Sequence, residues 1–227
     1  MAPIFTGSKF GFGRGAVDAL NPLGINPGDS LEGGFFAGYI SHTANSVPTH
    51  ALIVAPAATG ATGTGYTLIT MKQWKTTQTT TSGTSSEYDG AANSANMNNA
   101  SHPAAQFCED LSIGGYTDWY LPAPAELEIA YYNLKPSTVS NTTSWGGNAY
   151  SVPTRSGNYT SGNPSQTTVI AFQTGNSEAF IADRHWSSRE NGATDGYLLS
   201  FQDGDPYSDG FTKTSSRRVR AFRKVSL

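Results

Sequence analysis

The chain has 227 residues, a formal net charge of −3 and only 14% charged residues. One domain of this length can bury a core of its own, and two equal domains are not expected. Because the chain has no field of basic residues to hold a polyanion, nucleic acid is excluded as its main partner. No stretch approaches the ~18 consecutive apolar residues of a membrane span, so membrane insertion is not predicted.

The single cysteine, Cys108, excludes an intramolecular disulfide and a cysteine-based metal site. The N-terminus lacks the basic start and the apolar stretch of a signal peptide. We therefore expect the protein to be made in the cytoplasm and to remain there, or to leave by a route that needs no signal. The 25 glycines and 12 prolines favour turns and short strands over long helices.

Residues 1–34 are rich in glycine and carry few apolar side chains per residue. Such a segment cannot bury itself, so it should lie along another surface. We predict an N-terminal arm at 1–34 and a folded domain at 35–227. The apolar residues of the arm would be exposed on a lone chain, so we expect a neighbouring copy or another protein to cover them.

Short runs rich in β-branched and aromatic residues, bounded by Gly, Pro, Asn or Asp, predict strands. These runs are 35–40, 51–56, 66–71, 149–152, 168–172, 179–182, 196–201 and 218–223. In the last run, strand alternation places Arg218 and Arg220 on one face and Val219 on the other. We expect the arginine face to be solvated, or else to contact a neighbouring copy or an anionic ligand.

Two helices are predicted between the strands. The first begins after an N-cap at Ser101, has an apolar face that includes Cys108 and Leu111, and ends at 114–115. The second begins at Pro122–Pro124. We expect the helices to pack through these faces, with Phe107, Cys108 and Leu111 against Leu127, Tyr131 and Leu134.

Residues 28–31 spell Gly-Asp-Ser-Leu, the nucleophile block of one esterase superfamily, but the histidine block that such a serine needs is missing. A turn is the predicted structure there. The four histidines lack metal-ligand spacing, and Cys108 is predicted to be a small core residue. The carboxylates of Asp203, Asp205 and Asp209 form either a cation site or an exposed hairpin loop. We predict no catalytic site, no metal and no cofactor.

Three blocks occur in order along the chain: GGYTDWYLPAPAEL at 114–127, HWSSRE at 185–190 and RVRAFR at 218–223. Together they resemble a C-type-lectin-like domain of the disulfide-free branch found in bacterial surface proteins and bacteriophage virion proteins. The resemblance covers about residues 35–227. It implies an α+β fold with two helices and short antiparallel strands, and it implies that Trp119 and Trp186 are buried.

Members of this family that bind sugars through calcium use triplets that are absent here, and the related formylglycine-generating enzymes use paired cysteines. The resemblance therefore implies a non-enzymatic binding scaffold. It points first to a tail-fibre or receptor-binding protein of a bacteriophage virion, which would bind a host surface protein or glycan. The alternatives are a head or tail decoration or fibre protein with a purely structural role, and a bacterial surface adhesin.

Resemblance to phage adhesins also implies a homotrimer, with the arm at 1–34 contacting other copies or other virion proteins. Loops on a rigid scaffold are where recognition residues are expected, and Tyr and Arg often carry binding energy. The candidate ligand-binding residues on or beside the late loops are Arg189, Asn191, Asp195, Tyr197, Asp205, Tyr207 and Asp209.

Overall fold

The structure is a computed structural model that describes residues 18–62, 71–207 and 211–227. Within these residues the fold is a mixed α+β arrangement of helices and antiparallel sheets. The helices are α1 Ala57–Gly60, α2 Gly90–Ala95, α3 Pro103–Glu109 and α4 Pro124–Leu134. The strands are β1 Ser30–Leu31, β2 Gly34–Ile40, β3 His50–Val54, β4 Lys72–Gln73, β5 Arg184–Asn191, β6 Asp195–Ser200, β7 Pro206–Tyr207, β8 Ser216–Arg217 and β9 Phe222–Ser226.

The largest sheet joins the two ends of the folded domain. Its strand order is β1-β2-β3-β9, with all neighbours antiparallel, and Leu52 of β3 pairs with Lys224 of β9. The register of β2 against β3 shifts between Phe36 and Gly38, which forms an irregularity in β2. The strands predicted at 35–40 and 51–56 are confirmed, although the second ends at Val54.

Two smaller sheets complete the fold. One has the order β5-β6-β7, and the other pairs β4 with β8. A parallel bridge between His185 and Arg218 links these two sheets. Strand β6 confirms the prediction at 196–201, and the predicted strand at 66–71 lies almost wholly outside the described residues.

The two predicted helices exist, with different ends for the first. Helix α3 begins at Pro103 with His102 as its N-cap, so the predicted cap at Ser101 is wrong by one residue. It ends at Glu109, before the glycines at 114–115. Helix α4 starts at Pro124 as predicted, and the carboxylate of Glu126 accepts a hydrogen bond from the Ala123 N–H at 2.7 Å.

The predicted packing of α3 against α4 is wrong, because their apolar faces belong to different parts of the core. Leu127, Tyr131 and Leu134 lie in a first core cluster with residues of β2, β3 and β6. Cys108 lies in a second core cluster, with Phe107 and Leu111 at its edge. This second cluster also holds the buried side chains of Trp74, Trp119 and Trp186. Burial of Trp119 and Trp186 is confirmed, as is the core position of Cys108.

Three predicted strands are absent from their positions. Residues 170–172 form a 3-10 helix, 179–182 have no strand pairing, and 149–152 contribute only a bridge from Ser151 to Ile40. Their apolar side chains are nevertheless used, since Phe172 and Phe180 lie in the first core cluster. The apolar runs therefore predicted burial correctly but secondary structure incorrectly. Single apolar side chains of these loops pack into the core, and this packing does not require a strand.

The expected solvated face of Arg218 and Arg220 is also wrong. These side chains are 3% and 2% exposed, and Val219 between them is fully buried. The segment carrying them hydrogen-bonds to strand β5 on one side, through the Arg218 N–H, and to residue 62 on the other, through the carbonyl of Val219. Both faces of this segment are covered, so alternation along it does not separate core from solvent.

The described part of the predicted arm, residues 18–34, follows strand β2 of its own chain. The N–H of Gly28 donates to the carbonyl of Phe36 at 2.7 Å, and the N–H of Phe36 donates to the carbonyl of Asp29 at 2.8 Å. Ile25 packs on a small buried cluster, whereas Leu20 and Leu23 are each 43% exposed. The Gly-Asp-Ser-Leu segment forms a turn leading into β1, as predicted.

Candidate functional site

A cavity of about 300 Å³ lies between the start of α4, strands β5 and β6, and the irregular chain at 145–150. That volume is at the lower end of the range for small-ligand sites. Three aromatic residues contribute to its wall: Trp145 and Tyr150 from the irregular chain, and Tyr197 from β6. The cavity therefore joins segments that lie about fifty residues apart in the sequence.

The most accessible aromatic side chain of the cavity is Trp145, which is 54% exposed. Tyr150 is held from behind by Tyr88, whose ring stacks on it with centroids 4.4 Å apart. An exposed indole next to a fixed phenol ring presents apolar area and polar edges to a ligand. This wall is suited to stacking against a flat or ring-shaped group.

Arg189 forms the charged rim of the cavity. Its Nη1 lies 2.9 Å from Oε1 of Glu87, and its guanidinium carbon lies 4.4 Å from the ring centroid of Tyr197. The ion pair is partly exposed, with 27% and 53% of the two side chains accessible. Because the ring and the carboxylate both constrain Arg189, its guanidinium is held in place at the cavity.

The deep end of the cavity contains a buried carboxylate, Glu128. Its oxygens accept hydrogen bonds from Asn148 Nδ2 at 2.6 Å, from the Tyr159 hydroxyl and from Arg155. Burial raises the pKa of Glu128, against the opposing effects of Arg155 and Tyr159. Burial likewise raises the pKa of Tyr159, and the Glu128 charge raises it further. This network ties the 145–159 loop to α4 and so shapes the cavity floor.

Two of the predicted ligand-binding residues, Arg189 and Tyr197, meet in the cavity. Asn191 and Asp195 pair with each other where β5 turns into β6, and neither lines the cavity. Asp195 instead accepts a hydrogen bond from the Thr194 hydroxyl at 2.8 Å. Arg189 lies in β5 and Tyr197 in β6, and both line the cavity, whereas their role in ligand binding stays a prediction.

The later predicted residues lie elsewhere. The carbonyl of Asp205 accepts from the Ser200 N–H at 3.0 Å, and the Tyr207 ring packs on Phe211 in the second core cluster. Asp209 lies outside the described residues. The described members of the predicted set are therefore divided between the cavity, the β5–β6 turn, and β7 with the residue before it.

Sequence reasoning missed Trp145, Tyr150, Glu87 and Glu128 as parts of this surface. A signal was available for Trp145, since a lone tryptophan in a run of Asn, Thr, Ser and Gly has no local core to enter. The other three carried no such signal, because their contribution depends on how distant segments meet.

The described segments contain no group of three or more His, Cys, Asp or Glu side chains that could hold a metal ion. The carboxylate of Asp203 accepts a weak hydrogen bond from the Asp205 N–H at 3.4 Å, and both residues are half-buried. In the same segments no helix has the length and apolarity needed to cross a bilayer.

No protein-family model matches the chain, and no curated protein matches it.

Proposed function

We propose that this chain is a non-enzymatic bacteriophage virion protein, of the tail-fibre or receptor-binding kind, with a C-type-lectin-like domain. It recognises a host surface protein or glycan at the cavity between α4, β5 and β6. The observation that carries this proposal is the meeting of Arg189, Tyr197 and the exposed Trp145 in one concave surface. These three residue types dominate the energetics of protein recognition sites.

The rim is organised before any ligand arrives. Glu87 and Tyr197 already hold the guanidinium of Arg189, and Tyr88 already holds the ring of Tyr150. Side chains fixed in this way lose little rotamer freedom on binding, which leaves more of the contact energy as affinity. Such a surface favours recognition over a purely structural interface.

The lectin-like assignment is supported by where the three sequence blocks lie. The block at 114–127 leads into α4, the block at 185–190 forms most of β5, and the block at 218–223 leads into β9. Trp119 of the first block and Trp186 of the second share the second core cluster. The blocks thus converge on one core, beneath the cavity-forming strands.

The test is binding of the fluorescently labelled full chain to intact cells of a panel of bacterial strains. We expect binding to a subset of strains, and loss of most of that binding in W145A and R189A. The matched control is I170A, because Ile170 is 69% exposed and does not line the cavity. Absence of binding to every strain, or binding that W145A and R189A leave unchanged, would contradict the proposal.

Treatment of the cells separates the two kinds of receptor. Mild periodate oxidation destroys glycans that carry vicinal hydroxyl groups, whereas protease digestion removes surface proteins. Loss of binding after only one treatment identifies the receptor class. Immunogold labelling of intact phage particles then distinguishes a tail-fibre position from a head or tail decoration, and labelling on uninfected cells would indicate a bacterial adhesin.

We further propose that the protein is a homotrimer and that the N-terminal arm contacts its neighbours or other virion proteins. Leu20 and Leu23 support this, since both are substantially exposed in the arm. Light scattering should show a trimer for the full chain and weaker assembly for a chain that begins at Gly24, which lacks Leu20 and Leu23. Starting there keeps β1, whose Ser30 and Leu31 pair with β2. A monomeric full chain at high concentration would exclude the trimer.

A further inference from the structure

Three basic residues stand side by side across three neighbouring strands, away from the cavity. In the antiparallel pair of β4 and β8, Lys72 is directly opposite Arg217. The parallel bridge between His185 and Arg218 places the preceding residues, Arg184 and Arg217, beside each other. Residues paired in this way project from the same face of a sheet.

Aromatic rings hold the two guanidiniums close to this surface. The guanidinium carbon of Arg184 lies 4.8 Å from the ring centroid of Tyr207 and 4.9 Å from that of Phe211. That of Arg217 lies 5.3 Å from the same Phe211 ring. Both arginines are half-buried, and the Nε of each is shielded from solvent and has no hydrogen-bond partner. The shared ring keeps two like charges near each other.

Among the described residues, the charge of Asp183 opposes the lowering of the Arg217 pKa by burial, but this carboxylate is already engaged by Arg218. Asp183 Oδ2 lies 3.1 Å from Nε of Arg218, whereas neither Arg184 nor Arg217 forms an ion pair within the part of the chain that the structure describes. Burial lowers the pKa of Arg217, and the positive charge of Arg184 lowers it further. Like charges placed directly opposite each other on a sheet destabilise it. An anion that touches both groups would remove that repulsion.

We propose that Arg184 and Arg217 bind a doubly charged tetrahedral oxyanion, namely a phosphate or sulfate group, with Lys72 at its flank. Nη1 of Arg217 donates to the carbonyl of Ser216 at 2.9 Å and the Nε atoms are shielded, so the terminal Nη groups supply the donors to the anion. Two cations balance a dianion. Tyr207 and Phe211 position the pair on the second core cluster. This anion site shares no residue with the cavity lining, so the anion-binding proposal does not depend on receptor binding at the cavity.

The experiment uses the full chain and titrates inorganic phosphate, sulfate and chloride at matched ionic strength, following the melting temperature and the heat of binding. We expect phosphate and sulfate to raise the melting temperature with saturation, and chloride to leave it unchanged. Glucose 6-phosphate, with glucose as its control, is the second arm. Tighter binding of the sugar phosphate than of inorganic phosphate would show that the group is carried on a glycan.

The variants R184Q and R217Q should each lower phosphate affinity by about tenfold or more, since each removes charge-assisted hydrogen bonds. R217K keeps the positive charge but lacks the planar guanidinium. Its phosphate affinity should lie between that of R217Q and that of the original chain. S216A, at the exposed neighbour of Arg217, should bind phosphate as the original chain does. Circular dichroism checks that each variant is folded.

Repulsion between the arginines gives a second signature. In low salt without phosphate, R217Q should melt at a higher temperature than the original chain, and the order should reverse in saturating phosphate. R184Q serves where R217Q does not fold, because it also removes one of the two charges. The proposal is overturned if phosphate and sulfate act no differently from chloride, or if R184Q and R217Q bind phosphate with unchanged affinity.

Discussion

Arg220 and Glu178 form an ion pair inside the core, with Nη2 of the arginine 3.0 Å from Oε2 of the glutamate and only 2% and 13% of the side chains exposed. Nε of Arg220 also donates to the carbonyl of Ala55 at 2.6 Å, and Oε2 of Glu178 accepts from the Ala57 N–H at 2.8 Å. Burial lowers the pKa of Arg220 to about 10, against the opposing effect of Glu178. The pair therefore joins the segment before β9 to the turn after the 3-10 helix and to the chain between β3 and α1.

Removing one charge of this pair should be strongly destabilising. We expect E178Q to lower the free energy of unfolding by about 3–5 kcal/mol, because it leaves the Arg220 charge buried without its partner. Urea titration followed by tryptophan fluorescence measures the loss. The control is E87Q, which breaks the partly exposed pair with Arg189 and should cost less than about 1 kcal/mol. Equal losses of unfolding free energy in E178Q and E87Q would contradict the conclusion that burial makes the Arg220–Glu178 pair the more important one.

Leu127 is a test of the first core cluster. Its side chain is fully buried in α4, so L127A should lower the free energy of unfolding by about 2–5 kcal/mol through lost burial and a residual cavity. I170A, at a residue 69% exposed, removes a similar aliphatic side chain and should change stability by less than about 0.5 kcal/mol. A loss below about 1 kcal/mol for L127A in a denaturant titration would show that α4 does not pack as described.

Gly38 is a backbone position in β2 where a side chain is poorly tolerated. Its φ is +141°, and an added Cβ would lie 2.5 Å from Nδ2 of Asn133, which donates to the carbonyl of Ala37. G38A should therefore cost about 1–3 kcal/mol in unfolding free energy. Gly162 has open space around the same position, so G162A should be nearly neutral. Thermal melts of both variants measure this difference. An unchanged melting temperature in G38A would exclude backbone strain and steric overlap at residue 38.

Acid should destabilise the protein through its buried histidines. Burial lowers the pKa of His185 to about 3, and burial also lowers the pKa values of His42 and His102 to about 4. Between pH 6.5 and these values the unfolded chain binds protons that the folded chain does not, so stability falls as pH falls. The slope for His185 is up to about 1.4 kcal/mol per pH unit.

Carboxylates whose pKa is raised by burial, such as Glu109, Glu126 and Glu128, oppose this trend. Burial raises the pKa of Glu126 to about 7, so between pH 4.5 and 7 the folded chain binds a proton that the unfolded chain does not. Its contribution to stability is present at low pH and is lost as pH rises. Urea titrations at several pH values should show a shallower acid slope in H185Q and a steeper one in E126Q. Unchanged slopes in both variants would show that these groups titrate as they do in the unfolded chain.

Several elements were predictable because their signal is local. The alternating and apolar runs at 35–40 and 196–201 lie in strands, and the Pro-Glu start of α4 gives both its position and its buried face. The burial of Trp119 and Trp186 was expected from the residues around them, through the resemblance those residues carry. In these cases a few neighbouring residues contain the information, since strand and helix periodicities extend over less than a dozen positions.

The sequence by itself thus determined the α+β class, several main strands, helix α4 and the Arg189 and Tyr197 part of the candidate site. Only the tertiary structure decided that Phe172 and Phe180 anchor loops, that Arg220 is buried and that Trp145 joins the cavity wall. The physical reason is that each of these outcomes depends on a partner far along the chain. Glu178 lies 42 residues from Arg220 and compensates its buried charge. The residues next to Arg220 in the sequence do not indicate that it is buried.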